Sequence, residues 1–390
     1  MRQTLEGFQA IARTVAMCRP QVVAAYPITP QTHIVENISK LVADGVLNCE
    51  LVSVESEFSA ASVVLGAAAA GARAYTASAS QGILLMSEVL FNIAGLRIPL
   101  VLTCANRAVG APLSIWNDQQ DSMSVRDAGW IQLYCADNQE AVDTTVQAFR
   151  IAEQCELPVM VCVDGFTLTH TLEPIDLPEP QMVDSYLPPY KFARSMDPRQ
   201  PISVGTLVSP DHYTEARHSH HQALLNARQV IIDCDQGWQE LSGRHSGGLF
   251  EIYGSSSAKV GILALGSVVG TLRDAHREHA ERDNVQIVKL RSLRPFPGEE
   301  LLAALSHLDA LVVVERALSP GGGGIVGSEI RAAFHHGGSK VRIHNVALGL
   351  GGRDIPLSIF DRILELAGRK DAEAFTILDA QPHKLPPEDR

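Results

Sequence analysis

The sequence predicts an α/β protein: a doubly wound parallel sheet followed by a second, smaller α/β domain. Three observations predict it. Short apolar runs alternate with helical patterns between residues 22 and 163, and the runs are continuously apolar, as strands covered on both faces are. The same alternation resumes near Lys259, after a proline-rich acidic stretch. Three polar side chains, Thr29, Glu57 and Arg107, each follow a different predicted strand, at the edge where open α/β sheets place their ligands.

Taken in order, residues 4–18 put Leu5, Phe8, Ile11, Ala12 and Val15 on one face and predict an amphipathic helix. Residues 22–25 predict a buried strand. Tyr26-Pro27-Ile28-Thr29-Pro30-Gln31-Thr32 follows, with two prolines that keep the turn out of both strand and helix. Those prolines either hold the Thr29 hydroxyl on a rigid loop or simply end the strand, with Thr32 capping the next helix. Residues 51–54 predict a second strand, running into Glu55-Ser56-Glu57 and an apolar helix to Gly71. Further strands are predicted over 74–77, 99–103, 130–134 and 158–163, with helices over 83–94 and 138–154.

Pro174, Pro178, Pro180, Pro188 and Pro189 then predict a stiff, extended connection. Residues 211–240 read as one long polar helix. In the second domain, strands are expected over 260–264, 285–290, 311–314 and 341–346, and helices over 268–279, 299–305, 325–336 and 355–367. The implied units are 1–172, a linker and long helix over 173–255, a domain over 256–370, and a tail over 371–390.

Composition narrows the function. A net charge of −12 argues against unspecific binding to nucleic acid or to an anionic membrane surface. The Ala-rich tract between Glu57 and Arg73 is too short to span a bilayer. The residues after Met1 lack a signal-peptide core, so a cytoplasmic protein is expected. Of the seven cysteines, no two form a C-x-x-C pair, which excludes the usual iron–sulfur and zinc frameworks from this sequence. They are expected to be small buried hydrophobes.

Glu57 has Ser56 as a plausible N-cap and a dry, small-residue helix behind it. It reads either as a first-turn acid favoured by the helix dipole or as a carboxylate that hydrogen-bonds a ring nitrogen and controls its protonation. Arg107 reads either as the partner of Asp118 or Asp121 or as a planar fork for a ligand carboxylate. Their meeting with Thr29 in one crevice favours the functional alternatives. Gly321-Gly322-Gly323-Gly324 lacks both the dinucleotide and the Walker spacing, so a tight turn for close packing is expected there. His212, His218, His220 and His221 lack zinc-site spacing and predict a solvated helix face. His335 and His336 predict a helix end closed by glycine.

The first-domain motifs resemble a known family. Tyr26-Pro27-Ile28-Thr29-Pro30, Ser56-Glu57, Thr76-Ala77-Ser78-Ala79-Ser80-Gln81-Gly82 and Asn106-Arg107 with Ile115-Trp116-Asn117-Asp118 are similar, in order and spacing, to the α subunit of the pyruvate:ferredoxin oxidoreductases. Leu293-Arg294-Pro295-Phe296-Pro297 and the glycine run resemble the transketolase C-terminal-like domain of that family. The resemblance implies a pyrimidine-binding module for thiamine diphosphate over residues 1–172. Glu57 matches the carboxylate that hydrogen-bonds the aminopyrimidine and favours its imino tautomer. Thr29 and Arg107 match the residues that hold the substrate carboxylate. The resemblance further implies that coenzyme A accepts the acetyl group and that ferredoxin accepts the electrons by way of iron–sulfur clusters.

The sequence has no Gly-Asp-Gly with a following Asn, the usual diphosphate-metal signature, and no cluster cysteines. The resemblance therefore implies a β subunit carrying the diphosphate site, with Mg2+ and [4Fe-4S] clusters on the β and ferredoxin-like γ and δ subunits. It also implies an active site shared with a partner and an assembly role for the second domain. Pyruvate is the expected substrate, with 2-oxoglutarate or a branched-chain 2-oxo acid as the alternative. A non-catalytic assembly subunit, the rival expectation, need not retain Thr29, Glu57 and Arg107 together.

Overall fold

In the computed structural model, which describes residues 2–371 and 373–389, the predicted parallel strands lie side by side. Across the first sheet the order is Ser292–Arg294, Ile131–Cys135, Val159–Asp164, Val101–Asn106, Ala74–Ser78, Val22–Ala25 and Glu50–Ser53. All pairings are parallel except that of Ser292–Arg294, which runs antiparallel on the edge. The chain moves outward from Val22–Ala25 to Glu50–Ser53, then returns to the other side at Ala74–Ser78. The reversal opens a crevice above the carboxyl ends of these strands.

The second sheet has the order Phe375–Ile377, Arg342–Ala347, Ala310–Glu315, Val260–Ala264, Val285–Leu290 and Phe250–Gly254. Only Phe250–Gly254 is antiparallel. One apolar cluster runs from Ile93 and Trp130 under the first sheet to Leu263, Val313 and Phe334 in the second domain, so the two sheets share a core. Each such buried side chain contributes about 1.5–3 kcal/mol of burial. Buried charges cross the same boundary. Lys289 Nζ donates to Glu140 at 3.1 Å, and Arg291, fully buried, donates to Thr144 Oγ1 at 3.1 Å and Gln147 Oε1 at 2.7 Å.

The long polar helix spans Pro210–Ser242. His220 faces inward from it and meets the Gly129 carbonyl at 3.1 Å, so the histidine-bearing stretch is not wholly a solvated face. His335 and His336 end the helix Ile325–His336, which closes on Gly337.

The structure corrects several expectations. Residues 4–18 are not one helix: Arg2–Glu6 is a strand, and the helix is Gly7–Met17. The strand pairs antiparallel with Leu172–Asp176, inside the stretch expected to be an extended linker. That stretch also holds a short helix, Pro180–Tyr186. The helix expected over 83–94 is two, Ser80–Leu85 and Ser87–Gly95, separated at Met86. Thr32 does not cap its helix. The N-cap is Gln31, whose amide instead accepts from the Ile28 N–H at 3.2 Å and donates to the Ala77 carbonyl at 2.9 Å, bracing the Pro-framed loop against the next strand.

The glycine run makes a tight turn. The Glu315 carboxylate accepts the N–H groups of Ile325, Val326 and Gly327 at 2.8–3.0 Å, filling the helix N-terminus where a phosphate would sit. Asn345 packs against the same turn: a Cβ on Gly324 would lie 1.4 Å from Asn345 Oδ1. This end of the domain is built for close packing. Among the described residues no helix is long and apolar enough to cross a membrane.

Candidate functional site at the carboxyl edge of the first sheet

The loops after Val22–Ala25, Glu50–Ser53, Ala74–Ser78 and Val101–Asn106 converge above four adjacent strands. They bring the three sequence-predicted residues to one edge. Thr29 is exposed, and the following Pro30 packs on Gly165, where a Cβ would come within 2.6 Å of the proline ring. The Thr29 carbonyl accepts from Arg107 Nη1 at 2.9 Å. The Ser114 carbonyl accepts from Arg107 Nε at 3.1 Å. Two backbone carbonyls therefore fix the guanidinium, and no carboxylate of a described residue pairs with it. The expected ion pair to Asp118 or Asp121 is absent among the described residues. Burial pulls the Arg107 pKa below its usual range, and the nearby Asp121 opposes this.

Glu57 begins the helix Glu57–Ala69, and Ser56 caps it by accepting from the Ser59 N–H at 3.2 Å. The carboxylate is 7% exposed and has no hydrogen-bond or ion-pair partner among the described residues. It lies against Gly82, where a Cβ would stand 2.7 Å from Glu57 Oε1 and 2.3 Å from Ser78 Oγ. The Ser78 hydroxyl is itself buried without a hydrogen bond. Only glycine leaves room at this point. Gly82→Ala is expected to lower unfolding stability by about 1–3 kcal/mol through overpacking. An unchanged midpoint in denaturant unfolding would mean that the Glu57 side chain can swing clear.

The residue that ties the loops together is Asp121, weighed from sequence only as an ion-pair partner for Arg107. Asp121 is fully buried, and its carboxylate accepts from the N–H groups of Ser80 at 2.8 Å, Arg107 at 3.0 Å and Ser122 at 2.8 Å, and from Asn106 Nδ2 at 2.7 Å. Burial pushes this carboxyl above the usual range, against the pull of those donors. Ser80, held at φ +49°, also donates its hydroxyl to the Ala108 carbonyl. Asp121 thus locks the loop beside Glu57 to the loop that carries Arg107. Asp121 meets Arg107 through the backbone N–H and not, as the ion-pair reading expects, through the guanidinium.

Around this edge Tyr26, Phe58, Leu85, Leu113, Ile115 and Trp116 are exposed. The arrangement is a buried carboxylate with no partner among the described residues, a fixed cation with free N–H groups, and an apolar rim. It can hold a ring nitrogen at the carboxylate and a small anion at the cation. Among the described residues no cluster of His, Cys, Asp and Glu could hold a metal ion.

Residues 13–236 match the family described as "Pyruvate flavodoxin/ferredoxin oxidoreductase, thiamine diP-bdg", and residues 258–359 match "Pyruvate:ferredoxin oxidoreductase core domain II". The chain is 43% identical over 378 residues to pyruvate synthase subunit PorA of Methanosarcina barkeri, covering 96% of this chain and 94% of that protein. It is 39% identical over 367 residues to ketoisovalerate oxidoreductase subunit VorA of Pyrococcus abyssi, covering 94% and 93%. Among solved structures, 2-oxoglutarate:ferredoxin oxidoreductase from Magnetococcus marinus superposes with a TM-score of 0.72 at 21% identity, over 93% of this chain and 65% of that one. A split-gene transketolase, an inactive β4 tetramer, superposes at 0.56 with 13% identity, over 94% and 98%. The last two are likenesses of fold.

Proposed function

The chain belongs to the pyruvate flavodoxin/ferredoxin oxidoreductase family, and from that premise we propose that it is the α subunit of a multi-subunit pyruvate synthase. The reaction converts pyruvate, coenzyme A and two oxidised ferredoxins to acetyl-CoA, carbon dioxide, a proton and two reduced ferredoxins, or runs in reverse. The observation that carries the proposal is the joint presence, at one sheet edge, of the unpartnered Glu57 carboxylate and the backbone-fixed Arg107.

The crevice fits the pyrimidine half of thiamine diphosphate. An orphaned carboxylate and an unsatisfied Ser78 hydroxyl supply an acceptor and a second polar group, and Gly82 lets both side chains approach the same point. When bound, thiamine diphosphate supplies the nucleophilic carbon and the electron sink for cleaving the bond beside a 2-oxo group. Glu57 would accept a hydrogen bond from the ring N–H at its carboxylate, favouring the tautomer protonated at that ring nitrogen. Arg107 binds the substrate carboxylate with the N–H groups left free by Thr29 and Ser114, and the exposed Thr29 hydroxyl adds a donor. Asp121 holds both loops in place. This chain has no sequence signature for the diphosphate, Mg2+ or [4Fe-4S] clusters, so these belong to partner subunits: β with the diphosphate site, and ferredoxin-like γ and δ. The exposed apolar rim suits a protein partner that closes the crevice, and the isolated chain is expected to be inactive. A branched-chain 2-oxo acid is the second reading, favoured by the 39% identity to the VorA subunit. The enzyme is expected to be cytoplasmic.

The test is to tag this chain in its native source, purify it, and assay pyruvate- and CoA-dependent viologen reduction. Smaller iron–sulfur subunits and dye reduction support the proposal, and substitution of other 2-oxo acids ranks the substrates. A chain that purifies alone, with no 2-oxo acid reducing the dye, overturns it.

A further inference from the structure

The second domain grips the segment that holds Arg107. Residues 114–120 run between the site and the second domain. At one end Ser114 offers its carbonyl to Arg107 Nε at 3.1 Å. Within the first domain the segment is held by the Ala108 N–H, which donates to the Trp116 carbonyl at 3.0 Å, and by Asn117 Nδ2, which donates to the Asn106 carbonyl at 3.4 Å. Gln119 Nε2 adds a bond to Asp164 Oδ1 at 3.1 Å.

Trp116 also packs on Phe166 of the first domain, with ring centroids 4.8 Å apart, and further supports come from the second domain. The Gln119 N–H donates to the Arg316 carbonyl at 2.8 Å, and the Leu318 N–H donates to Gln120 Oε1 at 3.1 Å. Gly351 N–H donates to Asp118 Oδ2 at 3.2 Å, while Asp118 Oδ1 accepts from the Gln120 N–H at 3.0 Å. Gly352, at φ +79°, lies so close to Trp116 that a Cβ would stand 2.5 Å from that of the tryptophan. The turn is fixed in its own right. Arg316, nearly fully buried, donates to the Gly349 carbonyl and to Asp164 Oδ2, each at 3.2 Å. Gly349 N–H donates to Asp379 Oδ2 at 2.9 Å.

We infer that the second domain is a positioning element for substrate binding: it sets the Arg107 guanidinium through residues 114–120, with Asp118 as the positioning residue that ties this segment to the Gly349–Gly352 turn. The inference rests on the reading of Arg107 as the anchor of the substrate carboxylate. It assigns the second domain a role in the reaction beyond assembly. Two N–H donors converge on the two oxygens of Asp118. An asparagine has one acceptor oxygen for those two donors, so Asp118→Asn must break one contact while keeping size and shape. Gln120→Ala cuts the Leu318 contact and leaves the carboxylate alone.

The experiment uses the assembled, thiamine diphosphate-loaded enzyme, with pyruvate as the probe. Asp118→Asn is expected to raise KM for pyruvate by about three- to tenfold, the scale of one lost hydrogen bond, with kcat within about twofold of wild type. Gln120→Ala is expected to move KM in the same direction by less. In an Arg107→Ala background, Asp118→Asn is expected to add nothing, because the group it positions is gone. If Arg107→Ala impairs pyruvate use while Asp118→Asn and Gln120→Ala keep the wild-type KM, the second domain does not position the anchor. If Asp118→Asn lowers kcat as much as it raises KM, and does so with or without Arg107, the contact is merely structural and the inference fails. If Arg107→Ala itself keeps wild-type kcat/KM, the anchor reading falls first and takes this inference with it.

Discussion

Glu57→Gln in the assembled enzyme is expected to leave thiamine diphosphate bound and to slow exchange of its C2 proton by about 10²-fold or more, the scale of general acid–base effects. The substitution preserves volume, which matters because Gly82 leaves no slack beside Glu57 Oε1. It also breaks no contact within the chain, since the carboxylate has no partner among the described residues. A loss of folding is therefore not expected to obscure the result. The variant instead removes a basic oxygen at the one place where the crevice offers it. An amide can still hydrogen-bond a ring nitrogen, so affinity is expected to change far less than proton exchange. Proton exchange is followed by NMR after quenching in deuterated buffer, and bound cofactor is counted separately. Exchange at the wild-type rate would remove Glu57 from proton transfer, whatever its place in the fold.

The site was legible in sequence where it depends on strand ends, and illegible where it depends on backbone donors. Thr29 and Arg107 follow apolar runs that are buried in the folded sheet, and such runs announce parallel strands, while Glu57 follows the partly exposed edge strand Glu50–Ser53 and was found from its short apolar run and the Ser56 cap. Their convergence then follows from the doubly wound topology. Asp121 gave no such signal because three of its five donors are main-chain N–H groups, which every non-proline residue carries. The same reason hid the Asp118–Gly351 contact, whose partners are more than two hundred residues apart in sequence.

Edge strands were missed on different physical grounds. Leu172–Asp176 contains Pro174 and is half exposed, so it reads as linker until Arg2–Glu6 pairs with it. Ser292–Arg294 is too short to show a period, yet it closes the edge of the first sheet and brings Arg294 to a bidentate pair with Glu329 at 2.7 Å. Residues that resembled a family motif in the sequence thus prove to dock one domain on the other. In the glycine run, Glu315 and Asn345 supply what the sequence alone could not show: a protein carboxylate already fills the helix N-terminus.

Arg107→Ala is expected to lower kcat/KM for pyruvate by about 2–4 kcal/mol, or roughly 30- to 1,000-fold, as when a charged group loses its partner in a dry site. Several features set that magnitude. Arg107 is a buried residue, so its guanidinium is only partly hydrated before substrate arrives. The Thr29 and Ser114 carbonyls hold it in advance, so little side-chain freedom is lost when substrate arrives. No protein carboxylate competes for its free N–H groups among the described residues. Arg107→Lys is not a conservative rescue, because one ammonium cannot bond both carbonyls and also present a planar fork. It is expected to recover only a small part of the loss. The charge on the substrate supplies the control. A neutral 2-dione of pyruvate's size, turned over slowly by the wild-type enzyme, is expected to lose much less than pyruvate does, since it never used the cation. If both substrates fall equally, Arg107 supports the loop rather than the carboxylate. If pyruvate keeps its wild-type kcat/KM, the anchor lies elsewhere on the edge, and the fixed guanidinium is a brace between the Pro-framed loop and residues 114–120.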